Sequence, residues 1–446
     1  MSKILLLILD GLSDKPSEEL KYRTPLEAAY TPNLDKLASR GINGLMDPIS
    51  QGIPLRSETS HFILFGYPLE DFPGRALCEA KYAGISFDSG DVLCATNFAS
   101  VIKEEGYFGV IEREIKLNEE EMVDLSREIS EYKEDDVSIR YTYIGRTSRV
   151  NRGYGILTVK GEVSDKITDS DPYYNDMPVI EIEPLEGNKE MDMALLTSRV
   201  LNNYLRWVHK RLSDHPINVK RRSQGLNPVN FLLTLWASRR TMVESFYDRY
   251  GMKAISIIGD HPVLNGLARE LGMDEEEFPC LDNKKDIEGF YCQLFGKLNK
   301  YLEDYDFIHI NARDTDLAAH TKRPVWKKDV IEAIDSALKV LINEVMPHHD
   351  FLLTITGDHG APSVGDLLHC GESVPVLMTG ERILTDNVKQ FNERAAIYGG
   401  LGRIYAKDYM NIVLNFTDRI NMYGLRLTPR ISPTRPGKVK RLNILE

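Results

Sequence analysis

Cysteine is scarce. Five residues, Cys78, Cys94, Cys280, Cys292 and Cys370, are scattered through 446, with no close pair of the kind a zinc knuckle or redox motif needs. The odd count in an acidic chain without a secretion signal excludes a disulfide scaffold and predicts a reducing, cytoplasmic setting. Positive charge is also short. Lys and Arg number 55 against 67 Asp and Glu, a net charge of −12. That balance argues against a nucleic-acid partner, since phosphate contacts need clustered cations. The one basic run, Arg435-Pro436-Gly437-Lys438-Val439-Lys440-Arg441, reads as a solvated tail. No apolar run approaches the ~18 residues of a membrane span. Ile4–Leu9 is too short for a signal segment and runs straight into Asp10. Internal repeats and low-complexity stretches are absent, and no feature fixes an oligomeric state. What remains is a small-molecule partner, and a local basic pocket would suffice for an anionic one.

What is present is a set of apolar, β-branched runs that read as buried parallel strands. Ile4–Leu9 ends in Asp10-Gly11. Phe307-Ile308-His309-Ile310 leads, after a short loop, to Asp316 and His320. Phe351-Leu352-Leu353-Thr354-Ile355 leads to Thr356-Gly357-Asp358-His359-Gly360. In open α/β sheets ligands gather beyond the carboxyl ends of the strands, so three distant segments deliver carboxylates and imidazoles to one crevice. Further strands are expected at 254–258 and 374–378. Helices are expected at 262–271, 290–302, 330–344 and 408–415, and one should begin at Thr31 as N-cap with Pro32 at the first helical position.

Between about Gly84 and Gly187 the texture changes to short alternating stretches, 92–98, 137–144 and 154–160, around an acidic helical run at 118–134. This predicts an α+β insertion. The expected division is a discontinuous core over 1–84 and 188–425, an insertion over 85–187, and a tail over 426–446. An amphipathic helix runs from Met191 to Leu212.

The candidate ligands are Asp10, Ser57, Asp316, His320, Asp358, His359 and His369. Oxygen and nitrogen donors without sulfur suit manganese, zinc, magnesium or cobalt. Seven is too many for one zinc ion and suits two divalent ions roughly 4 Å apart, an arrangement used in phosphoryl transfer. Ser57 sits where a loop enters a helix, a position that fits an N-cap and also favours an anion.

Asp10-Gly11, Arg56-Ser57-Glu58-Thr59-Ser60-His61, Asp316-x-x-x-His320, Thr356-Gly357-Asp358-His359 and His369 match the alkaline phosphatase superfamily in order and spacing. Within it the chain resembles the cofactor-independent phosphoglycerate mutases of archaeal type. The resemblance is carried by Thr24-Pro25-Leu26-Glu27, Thr31-Pro32-Asn33-Leu34-Asp35, Pro73-Gly74-Arg75, Ser170-Asp171-Pro172, Pro228-x-Asn230 and Gly399-Gly400-Leu401-Gly402-Arg403. It covers the chain to about residue 425. It implies an alkaline-phosphatase-like three-layer α/β sandwich with a smaller α+β insertion domain. It also implies Ser57 as a nucleophile carrying a phosphoryl group between 3- and 2-phosphoglycerate. One metal, manganese first, would be held by Asp10, Asp358 and His359, and a second by Asp316, His320 and His369. Arg313 stands where the family usually has lysine, and with Arg113, Arg152 and Arg221 would hold substrate.

The chain departs from the family at positions expected to clamp that substrate. A run rich in arginine is reduced to Glu112-Arg113-Glu114-Ile115-Lys116, an expected arginine falls on Ala95, a His-Arg pair becomes Asn151-Arg152, and an Arg-Gly-Ala-Gly stretch becomes Leu235-Trp236-Ala237-Ser238. Lost bidentate contacts leave three expectations: a mutase with a rebuilt clamp, a divergent phosphatase or phosphomutase on another phosphorylated metabolite, or a non-catalytic binding protein.

Overall fold

The computed structural model describes residues 2–420 except 114, 116, 148–149, 260 and 279–283, together with 442 and 444; for 145–154 and 284 it describes the backbone alone. The expected tail, 426–446, falls almost wholly outside these residues, as does Cys280. Fourteen strands are seen among the described residues. They are β1 (Lys3–Leu9), β2 (Ile42–Asp47), β3 (Val92–Lys103), β4 (Phe108–Glu112), β5 (Glu131–Glu134), β6 (Val137–Thr147), β7 (Val150–Lys160), β8 (Phe231–Arg239), β9 (Ala254–Gly259), β10 (Asp274–Phe278), β11 (Phe307–Ala312), β12 (Phe351–Thr356), β13 (Val374–Thr379) and β14 (Gly402–Tyr405). The chain forms two units. The first comprises Met1–Phe72, Glu244–Gly259 and Ala268–Glu446; the second comprises Pro73–Val243 and Asp260–Leu267.

The first unit is built on one sheet, in the order β10-β9-β11-β1-β12-β13-β2-β14. From β10 to β12 the strands are parallel; β13 is antiparallel to both its neighbours. Strand β1 lies between β11 and β12, with Leu9 opposite Ala312 and Ile8 opposite Thr356. The three carboxyl ends therefore finish side by side, and the segments after them open onto the same place. Alternation sorts the strand residues between two faces. Leu5, Leu7, Ile308, Ile310, Leu353 and Ile355 share a core with the helices Lys284–Asp304 and Pro324–Val340. The intervening residues face the other side, where Thr354 bonds Tyr409 of the helix Ala406–Phe416 and His309 meets Phe65, just after the helix Ser57–Leu64. Helices on both faces make the three-layer sandwich.

The second unit carries the sheet β4-β3-β7-β6-β5, and β8 also pairs with β3. Beside the first part of β3 runs β8, and beside its last residues runs β4. The helix Met191–Ser213 presses Ala194, Leu201, Tyr204, Leu205 and Val208 into the core of this sheet. The insertion is thus wider than the expected 85–187: the apolar stripe of Met191–Ser213 and the strand β8 both find their partners here, not in the first unit. The acidic helical run also ends earlier. Glu119–Glu128 is helical and Glu131–Glu134 is already β5. Asn118 supplies a capping box at its start.

Thr31 does precede a helix, Pro32–Ala38, but its side chain makes no cap bond. Asp335 does that work from another helix, accepting from Leu34 N at 2.7 Å and Asn33 N at 3.3 Å. Ser57 likewise is not the N-cap of its helix. Arg56 is, and Ser57 is the first helical residue.

Candidate metal centre and nucleophile

Asp10, directly after β1, is fully buried. Its Oδ2 accepts from Asn311 Nδ2 at 3.0 Å, and its backbone carbonyl accepts from Thr315 Oγ1. Its Oδ1 lies 3.3 Å from Ser57 Oγ and 3.4 Å from His359 Nε2. His359 Nε2 is 3.1 Å from Ser57 Oγ and 3.4 Å from Asp358 Oδ2. The other carboxylate oxygen of Asp358 receives the N–H groups of Gly11 and His359, each at 2.9 Å. Asp10, Ser57, Asp358 and His359, four residues from three segments, are therefore linked by side-chain contacts of 3.1–3.4 Å, and Ser57 stands among them.

Asp316 starts a second cluster. It lies in the helix Asp314–His320 after β11, and its Oδ2 is 3.0 Å from His320 Nε2, one turn on. Its Oδ1 is 3.8 Å from His369 Nε2. The His369 Nδ1 donates to Leu55 O at 2.7 Å, which fixes the tautomer and leaves Nε2 as the free donor atom for a ligand. Among the described residues, two groups have ligand atoms all within 4.8 Å of one another: Asp10, Asp358 and His359, and Asp316, His359 and His369. His359 belongs to both. His320 stays beside Asp316, outside that compact trio.

The electrostatics match a place for cations. Burial, and then the charge of Asp10, push the Asp358 carboxyl well above the usual carboxylate range. Burial would raise Asp316 too, but the hydrogen bond and charge of His320, with His359 and His369, outweigh it and hold Asp316 well below that range. The same pair raises His320 against its burial. Burial and the neighbouring His359 push His369 down to about 4. Asp358 Oδ2 and Asp316 Oδ1 are buried without a hydrogen-bond partner. Buried carboxylate oxygens left in that state are costly. Here they face imidazole nitrogens across gaps that suit an ion held by oxygen and nitrogen, so the donors fit divalent metals.

A model of the metalloenzyme superfamily matches residues 2–416. A 2,3-bisphosphoglycerate-independent phosphoglycerate mutase of Methanocaldococcus jannaschii is 42% identical over 439 residues, covering 96% of each chain. The chain belongs to this mutase family. Among solved structures, a cofactor-independent phosphoglycerate mutase from Thermoplasma acidophilum is 32% identical with a TM-score of 0.64, covering 93% of this chain and 99% of its own. A protein of Pyrococcus horikoshii is 29% identical with a TM-score of 0.74, covering 95% of this chain and 99% of its own. Among the described residues no helix is long and apolar enough to cross a membrane.

The expected substrate arginines fare differently. Arg313 stands at the start of the helix Asp314–His320, in the same unit as the clusters, with a buried Nε that has no hydrogen-bond partner. The other three belong to the second unit. Arg113 Nε donates to Asp171 Oδ1 at 2.6 Å, and its guanidinium lies over the Tyr173 ring. Arg221 is buried, donating to Asn227 O at 2.8 Å with Glu121 at 3.7 Å. The side chain of Arg152 lies outside the described residues. Ala95 and Leu235, at positions where the resemblance leads to an expectation of arginine, are opposite one another on β3 and β8, and both are buried.

Sequence reasoning passed over Asn311 and His61. Asn311 and His309 alternate as polar residues inside the otherwise apolar β11, which was a signal for a polar site on that face. His61 follows Ser57 by four residues, one helical turn on. Its Nδ1 bonds Ser57 O at 2.7 Å and lies 3.5 Å from Asp358 Oδ2, and burial pushes it down to about 4.

Proposed function

We propose that this chain interconverts 3- and 2-phosphoglycerate through a phosphoserine at Ser57. The observation that carries this is the placement of Ser57 Oγ, 3.3 Å from Asp10 Oδ1 and 3.1 Å from His359 Nε2, inside a nest of buried carboxylates and imidazoles. Asp10, Asp358 and His359 would hold one divalent ion. Asp316 and His369, with His320 beside them, would hold a second. The donor set supports manganese first, with zinc, magnesium or cobalt as alternatives. Bound there, the ions lower the pKa of the serine hydroxyl and offset the charge of the phosphoryl group in transfer.

The chain's own residues do the rest. In the first displacement a bond forms between Ser57 Oγ and phosphorus as the bond from phosphorus to the glycerate oxygen breaks. The serine proton leaves and the glycerate oxygen gains one. The second displacement returns the phosphoryl group to the other hydroxyl, so atoms and charge balance over the cycle. At the first turn of its helix, Ser57 is beside N–H groups with no partner within the helix, which favour the added negative charge. His61 Nδ1 donates to the Ser57 carbonyl and so holds the start of the helix. Arg313, in the same unit as the clusters, offers a planar fork to the substrate phosphate. Arg221 has internal partners that suit it better to holding the fold. The few, scattered cysteines support a cytoplasmic setting.

A second proposal, a phosphatase or phosphomutase on another phosphoester, is favoured by one observation: the buried, cross-strand Ala95–Leu235 pair is apolar where the resemblance leads to an expectation of arginine. The test is to quench the manganese-loaded protein during turnover and map phosphate by mass spectrometry. Phosphate on the Ser57 peptide after 3-phosphoglycerate supports the mutase. Phosphate there only after a different ester supports the second proposal.

A further inference from the structure

Lys327, in the helix Pro324–Val340, has no exposed surface. Lysine is almost never so buried unless it is paired. Its ammonium donates to Gly11 O and Ala361 O, both at 2.8 Å, and to Asp14 Oδ2 at 3.0 Å, with Ser13 O further off at 3.4 Å. Those three near contacts use the three donors an ammonium has. Asp14 is buried as well, and its two oxygens accept from Ser363 N at 2.9 and 3.0 Å. Lys327 and Asp14 thus tie together the loop after β1 and the loop after β12. These are the loops that carry Asp10 and Asp358-His359. A direct bond, Ala361 N to Ser13 O at 2.9 Å, joins them as well.

Stability is a poor explanation for this pair. Replacing a buried ion pair by neutral groups of similar volume is often neutral or stabilising. What the pair does fix is position. Gly11, next to Asp10, binds Lys327 through its carbonyl and Asp358 Oδ1 through its N–H at 2.9 Å. Its φ of +62° favours glycine, and a Cβ there would come within 2.6 Å of Ala361 Cβ and 2.9 Å of Asp316 Oδ1. One residue is therefore clamped among all three ligand-bearing segments, and the ammonium holds its carbonyl.

We propose that Lys327 is a positioning residue for the metal centre. Its ammonium is a built-in cation that holds the carbonyls of Gly11 and Ala361, and so sets Asp10, Asp358 and His359 before any metal arrives. This rests on the reading of the cluster as a metal centre. The test is equilibrium Mn²⁺ binding, read from free Mn²⁺ by electron paramagnetic resonance, with folding followed by circular dichroism and urea unfolding without metal. Two variants are compared with wild type. The double variant Lys327→Met with Asp14→Asn removes both charges and keeps volume. Lys327→Gln keeps donors without charge. The expected result is a fold retained in the double variant with Mn²⁺ affinity lowered ~10–100-fold, the range that loss of outer-shell partners produces. Lys327→Gln should fall between it and wild type. Either folded variant binding Mn²⁺ at wild-type affinity would overturn the proposal. If wild type itself binds no Mn²⁺, the reading of the cluster fails instead, so the two failures are distinguishable.

Discussion

The rings of His359 and His369 stack with centroids 3.8 Å apart and planes 22° from parallel. Two imidazolium ions at such a distance would repel by about 4 kcal/mol at an effective dielectric constant near 20. The conflict is resolved on the His369 side, where burial and His359 lower the pKa to about 4. The His369 ring can then serve as a neutral nitrogen donor near neutral pH. His369→Ala should lower metal affinity by at least the ~10–100-fold that loss of an outer-shell partner costs. The unfolding midpoint of the metal-free protein should barely move. A titration with Mn²⁺ against the two proteins checks it.

Metal loading should release protons. Asp358 is pushed well above the usual carboxylate range by burial and by Asp10, and a carboxyl must lose its proton to bind an ion. Affinity should therefore rise with pH, and the heat of Mn²⁺ binding should depend on the ionisation enthalpy of the buffer. Identical heats in phosphate-free buffers of different ionisation enthalpy would contradict this.

Away from the site, Glu393 gives the fold its own pH dependence. Burial raises its carboxyl to about 7, and the hydrogen bond from Thr24 Oγ1 at 2.9 Å offsets only part of that. A raised folded-state value means the neutral form fits the fold. Its contribution is full below the unfolded value near ~4.3 and is lost as pH rises through 7. The loss is up to about 4 kcal/mol by linkage. Glu393→Gln keeps an acceptor for Thr24 and should flatten the decline. Urea midpoints at pH 5 and pH 8 measure it: the wild-type drop should exceed the variant's.

The helix Pro32–Ala38 depends on Asp335 for its first turn. Asp335→Ala removes the acceptor for Leu34 N and Asn33 N. The expected cost is ~1–2 kcal/mol, the range for losing an N-cap. Thr31→Ala, by contrast, should cost less, since that side chain makes no cap bond. Chemical denaturation of the two variants decides the order.

These elements also show what the sequence could and could not express. The strands β1, β11 and β12 were legible because a strand buried on both faces needs a near-continuous apolar run, and their polar terminations marked the site. In contrast, β10 reads Asp-Glu-Glu-Glu-Phe, a composition that argues against a strand. It forms at the sheet edge, where Lys297 and Arg269 meet its carboxylates. The assignment of Met191–Ser213 to the wrong unit has a similar cause: amphipathicity says that a helix packs, not against what. Lys327 was invisible for a related reason, since a lysine near the start of a helix normally reads as solvated. The candidate ligands Asp10, Asp358 and His359 were marked by their positions at strand ends. The place of His359 in both clusters needed coordinates.

The most direct measurement gives Mn²⁺-loaded protein 3-phosphoglycerate and follows 2-phosphoglycerate and free phosphate together, with Ser57→Ala alongside. The account predicts 2-phosphoglycerate without matching phosphate release, and a loss of at least ~10⁴-fold in the variant, comparable to removing a nucleophile elsewhere. Isomerisation that survives in Ser57→Ala would contradict it.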